Sequence, residues 1–224
     1  CLSLVGSEMC IRDRAHRVRF HTGCEVGPAL TGGIMSDVQK NIISRRTVYK
    51  FDQREVPATV LEIAFEAARH APNHKHTHPW KFYVLGQEAR SSILPEVKRL
   101  AELKSLRLGR SSSDEGMKKA IAKITSPPIL IVVTSARTIG DKFREMEDYA
   151  ATVCAIHNLT LSLWDQGVGL QWSTGGITRS DYVYDKLGIS KGEENIIGFL
   201  KVGDPASVPN IEKKPLKDIR LYLE

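Results

Sequence analysis

Apolar positions along the chain follow two rhythms, one helical and one extended, interrupted by proline and glycine. Val38, Ile42 and Ile43 recur at helical spacing and stop before Arg45 and Arg46, so a short helix is expected to deliver that arginine pair at its end. The run 51–57 (FDQREVP) breaks the pattern. Thr59 and Glu62 suit a capping box for the next helix, in which Leu61, Ala64, Phe65 and Ala68 share one face. Pro72 ends that helix, the chain to Pro79 has loop composition, and Lys81 to Leu85 reads as a strand. Ile93, Leu94, Val97, Leu100 and Leu103 give another helical stretch, and the polar run 109–116 (GRSSSDEG) reads as a loop or the rim of a lid. Ile129 to Thr134 is continuously apolar and β-branched, as a strand covered on both faces requires. Tyr149 to Trp164 forms a long apolar helical pattern suited to a core or a subunit interface. Ile196 to Val202 is expected to be the last core strand, followed by Gly203, Asp204, Pro205 and a tail from Ala206 to Glu224. Strands and helices alternate irregularly without a GxGxxG or P-loop signature, so the pattern points to an α+β sandwich and leaves strand order open.

Composition changes this picture little. With 224 residues one good core is expected, and the net charge of +6 comes from basic residues mixed with acids, as in KFREMED and KGEEN. That mixture suits a solvated surface, so no nucleic-acid partner is expected. The longest apolar runs fall well below the ~20 residues that span a bilayer, so no membrane association is expected either. Three of the four cysteines lie in residues 1–34, which leaves Cys154 without a partner and favours a reducing, cytoplasmic setting. Residues 1–34 show no period of their own, and Glu8 to Arg14 resembles the conceptual translation of a sequencing-library transposon end. The expectation is a non-native leader over 1–34 and one domain over 35–224.

Two places carry candidate chemistry. Arg45, Arg46 and Thr47 put two fixed cations and a hydroxyl within one turn, a donor set that suits phosphate oxygens. Arginines at a helix end also favour the helix dipole while pointing into water, and on the pair alone that second reading prevails. The loop 71–80 (APNHKHTHPW) concentrates His74, His76 and His78 after a core helix. Alternating imidazoles suggest a metal, but no carboxylate or cysteine accompanies them nearby, and no metal site is expected. Cys154 and His157 lie on the long helix, where an inert buried thiol and a core or interface histidine are expected. Trp80 and Trp172 are candidates to line a ring pocket, although a tryptophan before a strand, as Trp80 is, more often anchors a core; Phe82, Tyr83 and Phe199 are assigned to the core.

Four segments in order, RRTVYKF (45–51), AARHAPNHKHTHPWKFYVL (67–85), GVGLQWSTGG (167–176) and IIGFLKVGDP (196–205), together resemble the nitroreductase family, closest to its small members with an APDHK loop. The resemblance spans Met35 to about Pro209. It implies a central, mainly antiparallel sheet flanked by helices, and a homodimer with FMN at the subunit interface. It also implies NADPH or NADH as co-substrate and ping-pong reduction of nitroaromatics, quinones or similar small acceptors. On that scaffold the alternatives are a dedicated dehydrogenase or reductive dehalogenase, and a flavin-binding redox sensor or carrier with little turnover. By the same resemblance Arg45, Arg46 and Thr47 hold the FMN phosphate and ribityl chain. His70 and His74 reach the flavin of the partner subunit; apart from the resemblance, His74 and Lys75 are the candidate sources of positive charge near the ring, with a solvated loop cation an equal reading of Lys75. Trp172, Ser173 and Thr174 close on the cofactor from the other side, and Gly203 lies near the phosphate. The sequence departs from the family at His78, where glutamine is usual, at His76, where larger members have asparagine, and at Ser173, where some close relatives carry arginine. Lys201 and Lys213 are the candidates to replace that charge. The cofactor carries the redox chemistry, so no catalytic side chain is expected.

Overall fold

The computed structural model describes residues 35–109 and 114–223. The leader expected over 1–34 and the middle of the 109–116 run lie outside the described residues.

Helix α1 spans Asp37–Ser44 and opens with a capping box between Ser36 and Gln39. Helix α2 spans Ala58–Arg69, with Pro57 at its N-cap and no side-chain cap. The box expected at Thr59 and Glu62 is therefore absent, because proline's fixed φ starts the helix two residues earlier. Strand β1 is Trp80–Val84. Helices α3 (Gln87–Ser92) and α4 (Leu94–Arg107) follow, hinged at the buried Ile93. Helix α5, Asp114–Thr125, begins inside the run read as loop, which corrects that reading. Asp114 and Glu115 in its first turn complement the helix dipole, and polar composition hid a helix start. Strand β2 is Ile129–Ala136, and helix α6 is Lys142–Asp165, capped by the Asp141 side chain. Strand β3 (Gly169–Ser173), helix α7 (Asp181–Leu187) and strand β4 (Glu194–Gly203) complete the fold.

The four strands form one antiparallel sheet in the order β1-β2-β4-β3. The last strand in the chain is thus central, because β4 pairs with both β2 and β3. Alternate residues of β2 point to opposite faces. Ile131 and Val133 join Ala64 and Ala68 of α2 and Ala155, Leu159 and Leu163 of α6 in one core. Leu130 and Val132 join Ile93, Val97 of α4, Ile124 of α5, Val183 of α7 and Phe199 in the other. Both faces are covered, as the apolar run at 129–134 required, and the fold is α+β with helices on both sides of the sheet. His157 is exposed on the single chain and Cys154 is half-buried against the first core.

Candidate functional site

The arginine pair is fixed at the free edge of β3. Thr47 forms a parallel bridge with Leu170, and the Val48 N–H donates to the Leu170 carbonyl at 3.1 Å. Helix α1 docks on the C-terminal half of α6, where Asn41 Nδ2 donates to the Leu161 carbonyl at 3.0 Å and Trp164 Nε1 donates to Ser44 Oγ at 3.0 Å. Arg46 Nη1 donates to the carbonyls of Ile43 (2.7 Å) and Arg45 (3.0 Å), capping the end of α1. Arg45 is half-buried, and its guanidinium has no partner among the described residues. A half-desolvated cation of this kind fits an anionic ligand.

Further along the same strand, Trp172 Nε1 donates to the Ile197 carbonyl at 3.2 Å and Ser173 Oγ to the Phe199 carbonyl at 3.1 Å. The Trp172 indole lies over Gly198, where an added Cβ would sit 1.9 Å from Nε1. Thr174 is exposed just past the strand. Gly203 is buried opposite Gly169, and a Cβ there would meet Pro128 at 2.9 Å and Phe51 at 3.2 Å, so close packing alone accounts for glycine. Lys201 is also buried and donates to Gln171 Oε1 at 3.1 Å. Desolvation, reinforced by the nearby positive charge of Lys123, pulls its pKa down to about 8. Lys213 lies exposed in the tail.

The histidines belong to the other end of α6. Helix α2 ends beside Asn158, whose amide donates to the Ala67 carbonyl at 3.1 Å, and His70 pairs with Glu66 at 3.0 Å. The following loop carries three non-glycine residues with left-handed backbone, Lys75 (φ 59), His76 (φ 51) and His78 (φ 47). It is clamped by side chains that sequence reasoning missed. His74 Nδ1 meets Glu147 Oε1 at 2.9 Å, Arg144 Nη2 donates to the His74 carbonyl at 3.3 Å, and Thr77 Oγ1 donates to Asp148 Oδ1 at 2.6 Å. Arg144 Nε reaches Asp148 Oδ2 at 3.3 Å. The available signal was the spacing of Arg144, Glu147 and Asp148, an i, i+3, i+4 charged set opening an otherwise apolar helix. Lys75 is exposed, His78 meets Trp80 edge-on at 5.7 Å, and no metal-holding group of three or more His, Cys, Asp or Glu occurs among the described residues.

The predicted residues thus fall into two groups. Arg45, Arg46, Thr47, Trp172, Ser173, Thr174 and Gly203 are joined through the Thr47 bridge to β3 and its pairing with β4. His70, His74 and Lys75 lie at the end of α2 and on the loop after it, with His70 paired to Glu66 and His74 to Glu147. Glu147 and Leu161, the α6 residues touched by the two groups, lie fourteen residues apart, about 21 Å at about 1.5 Å rise per residue. A cavity of about 450 Å³ elsewhere, lined by Phe65, Arg69, Trp80 and Tyr83 among others along β1, contains none of these residues.

Comparison with known proteins agrees with the fold. The sequence profile of the Nitroreductase family matches residues 42–204. The protein named "Putative NAD(P)H nitroreductase YfhC" of Bacillus subtilis (strain 168) is 29% identical over 183 residues, covering 81% of this chain and 92% of its own. The crystal structure of a nitroreductase-like family protein from Bacillus cereus superposes with a TM-score of 0.72 at 26% identity, covering 86% of this chain and 99% of that one. A nitroreductase with bound FMN from Bacteroides fragilis NCTC 9343 superposes with a TM-score of 0.60 at 20% identity, covering 85% and 100% of the two chains. Among the described residues, no helix is long and apolar enough to cross a membrane.

Proposed function

The chain belongs to the nitroreductase family, and from that premise we propose that it is an FMN-dependent NAD(P)H oxidoreductase acting on nitroaromatics, quinones or similar small acceptors. The observation that carries this reading is the Thr47–Leu170 bridge, which ties the half-buried, unpartnered Arg45 to the strand bearing Trp172, Ser173 and Thr174. Names of similar proteins support the cofactors, since YfhC is named for NAD(P)H and the Bacteroides fragilis structure contains FMN. FMN, when bound, accepts a hydride from the reduced nicotinamide and passes electrons to the acceptor in a separate half-reaction.

The chain's residues bind and orient. Arg45 and Arg46 neutralise the dianionic phosphate and Thr47 adds a hydroxyl donor. Trp172 and Ser173 have their side-chain donors committed to the carbonyls of β4, so this segment offers the cofactor a rigid wall. His70 and His74 reach the flavin of a partner subunit, and His74 and Lys75 supply positive charge or N–H donors near its ring. The separation along α6 supports a homodimer. Antiparallel packing of α6 on its copy brings the Glu147 end of one chain to the Leu161 end of the other, which completes two equivalent sites. Exposed apolar side chains at both ends support such a contact, with Phe143, Met146 and Tyr149 on α6 and Val38, Ile42 and Ile43 on α1.

The test is purification followed by FMN titration, sizing and steady-state NADPH oxidation with a quinone. A yellow dimer that bleaches anaerobically with NADPH and turns over many equivalents of quinone is the expected result. A colourless protein that cannot be loaded with FMN ends the reading. Stoichiometric reduction with little turnover would instead show a sensor or carrier.

A further inference from the structure

Three residues of the histidine loop adopt left-handed backbone without being glycine, and such conformations persist only where surrounding structure holds them. The loop that contains them is anchored by a polar cluster on the first two turns of α6. The Asp148 side chain is 3% exposed and the Arg144 side chain 11%. Asp148 receives the Thr77 hydroxyl on one oxygen and Arg144 on the other, while Arg144 also binds the His74 carbonyl and lies 3.7 Å from Glu147. Asn73 finishes the frame, accepting the His78 N–H at 2.7 Å and donating to Thr77 Oγ1 at 3.1 Å. A desolvated carboxylate is hard to justify for stability alone, because an apolar residue of the same size packs there at no electrostatic penalty. The contacts of this carboxylate side chain run to the loop directly through Thr77 and indirectly through Arg144.

We propose that Asp148 is a positioning residue for the cofactor loop: through Thr77 and Arg144 it holds His74 and Lys75, in a loop strained at Lys75, His76 and His78, in the conformation that meets the flavin. This rests on the reading of the site as an FMN site. It adds a buried carboxylate to the residues on which binding depends, and it assigns the loop strain to preorganisation.

The test compares the wild-type dimer with Thr77→Val, Thr77→Ser and Asp148→Asn. Thr77 is exposed, so its valine variant leaves the core intact even if Asp148→Asn folds poorly. The readouts are FMN affinity from flavin fluorescence quenching, the midpoint potential of the bound flavin, and the melting temperature without FMN. Thr77→Val is expected to weaken FMN binding on the order of tenfold and to make the potential more negative, with dimerisation retained. Thr77→Ser restores both values. If Thr77→Val and Asp148→Asn change only the melting temperature, or nothing, the cluster is structural and the inference is overturned. If the wild-type dimer itself takes up no FMN, the first titration overturns the functional reading together with the inference.

Discussion

Replacing Lys201 with methionine should stabilise the protein, which is unusual for a substitution in a packed sheet. The ammonium is buried on central β4, with the Gln171 amide oxygen as its hydrogen-bond acceptor and Lys123 as a repelling neighbour. The fall of its pKa from 10.5 to about 8, at about 1.4 kcal/mol for each tenfold change in the protonation constant, corresponds to about 3 kcal/mol of strain in the charged native state. Losing the bond to Gln171 returns about 1 kcal/mol, so Lys201→Met should gain about 2 kcal/mol at pH 7. The sign has a pH signature. Below pH 8 the lysine is protonated in both folded and unfolded chains, and its full burden is present. Between about 8 and 10.5 the unfolded chain holds the proton that the native state has released, so wild-type stability rises with pH relative to the variant. Urea denaturation of both proteins at pH 7, 8, 9 and 10, at one fixed flavin concentration, measures the gap. A variant no more stable than wild type at pH 7, or a gap that stays constant to pH 10, would refute the reasoning.

Gly198→Ala would place a methyl 1.9 Å from Trp172 Nε1, so the indole must leave its seat; a changed tryptophan fluorescence and a loss of about 1–3 kcal/mol in thermal denaturation are expected. Arg45→Ala should raise the FMN dissociation constant roughly tenfold or more while leaving the far-ultraviolet circular dichroism unchanged, since its guanidinium has no partner among the described residues. Burial pushes the Glu194 carboxyl up, but Lys81, Thr134 and Tyr83 together hold it below the ordinary value of 4.5. Glu194→Ala should therefore lose about 3 kcal/mol at neutral pH, with a gap to wild type that narrows as pH falls below 4.5, where the unfolded chain takes up the proton before the native carboxylate does.

The run at 129–134 was readable because a strand buried on both faces leaves no polar alternation to interpret. The apolar part of α6 was readable for the same reason, whereas its first two turns carry Arg144, Glu145, Glu147 and Asp148 and look like surface. Helix α5 escaped because Gly116 and the acids of its first turn carry loop composition. Strand β3 escaped because five residues on a sheet edge give too short a period. At the candidate site, Arg45 to Thr47 stood out as types of residue and Trp172 to Thr174 only through the family resemblance, and their adjacency depends on a bridge between Thr47 and Leu170 that no local pattern encodes. The clamp on the histidine loop was invisible for the same reason, since Thr77 and Asp148 are separated by 71 residues.

The central position of β4 bears on how the protein is made. Ile131 of β2 pairs with Leu200, so the most water-averse segment waits for a partner roughly 70 residues downstream. At about 5–20 residues per second of translation, that partner arrives roughly four to fourteen seconds later. For that interval a nascent chain can offer β2 only β1, and a two-stranded ribbon leaves much of Leu130 to Val133 wet. Ribosome-associated chaperones should therefore engage this stretch, and their release should coincide with emergence of residues 194–203 from the exit tunnel.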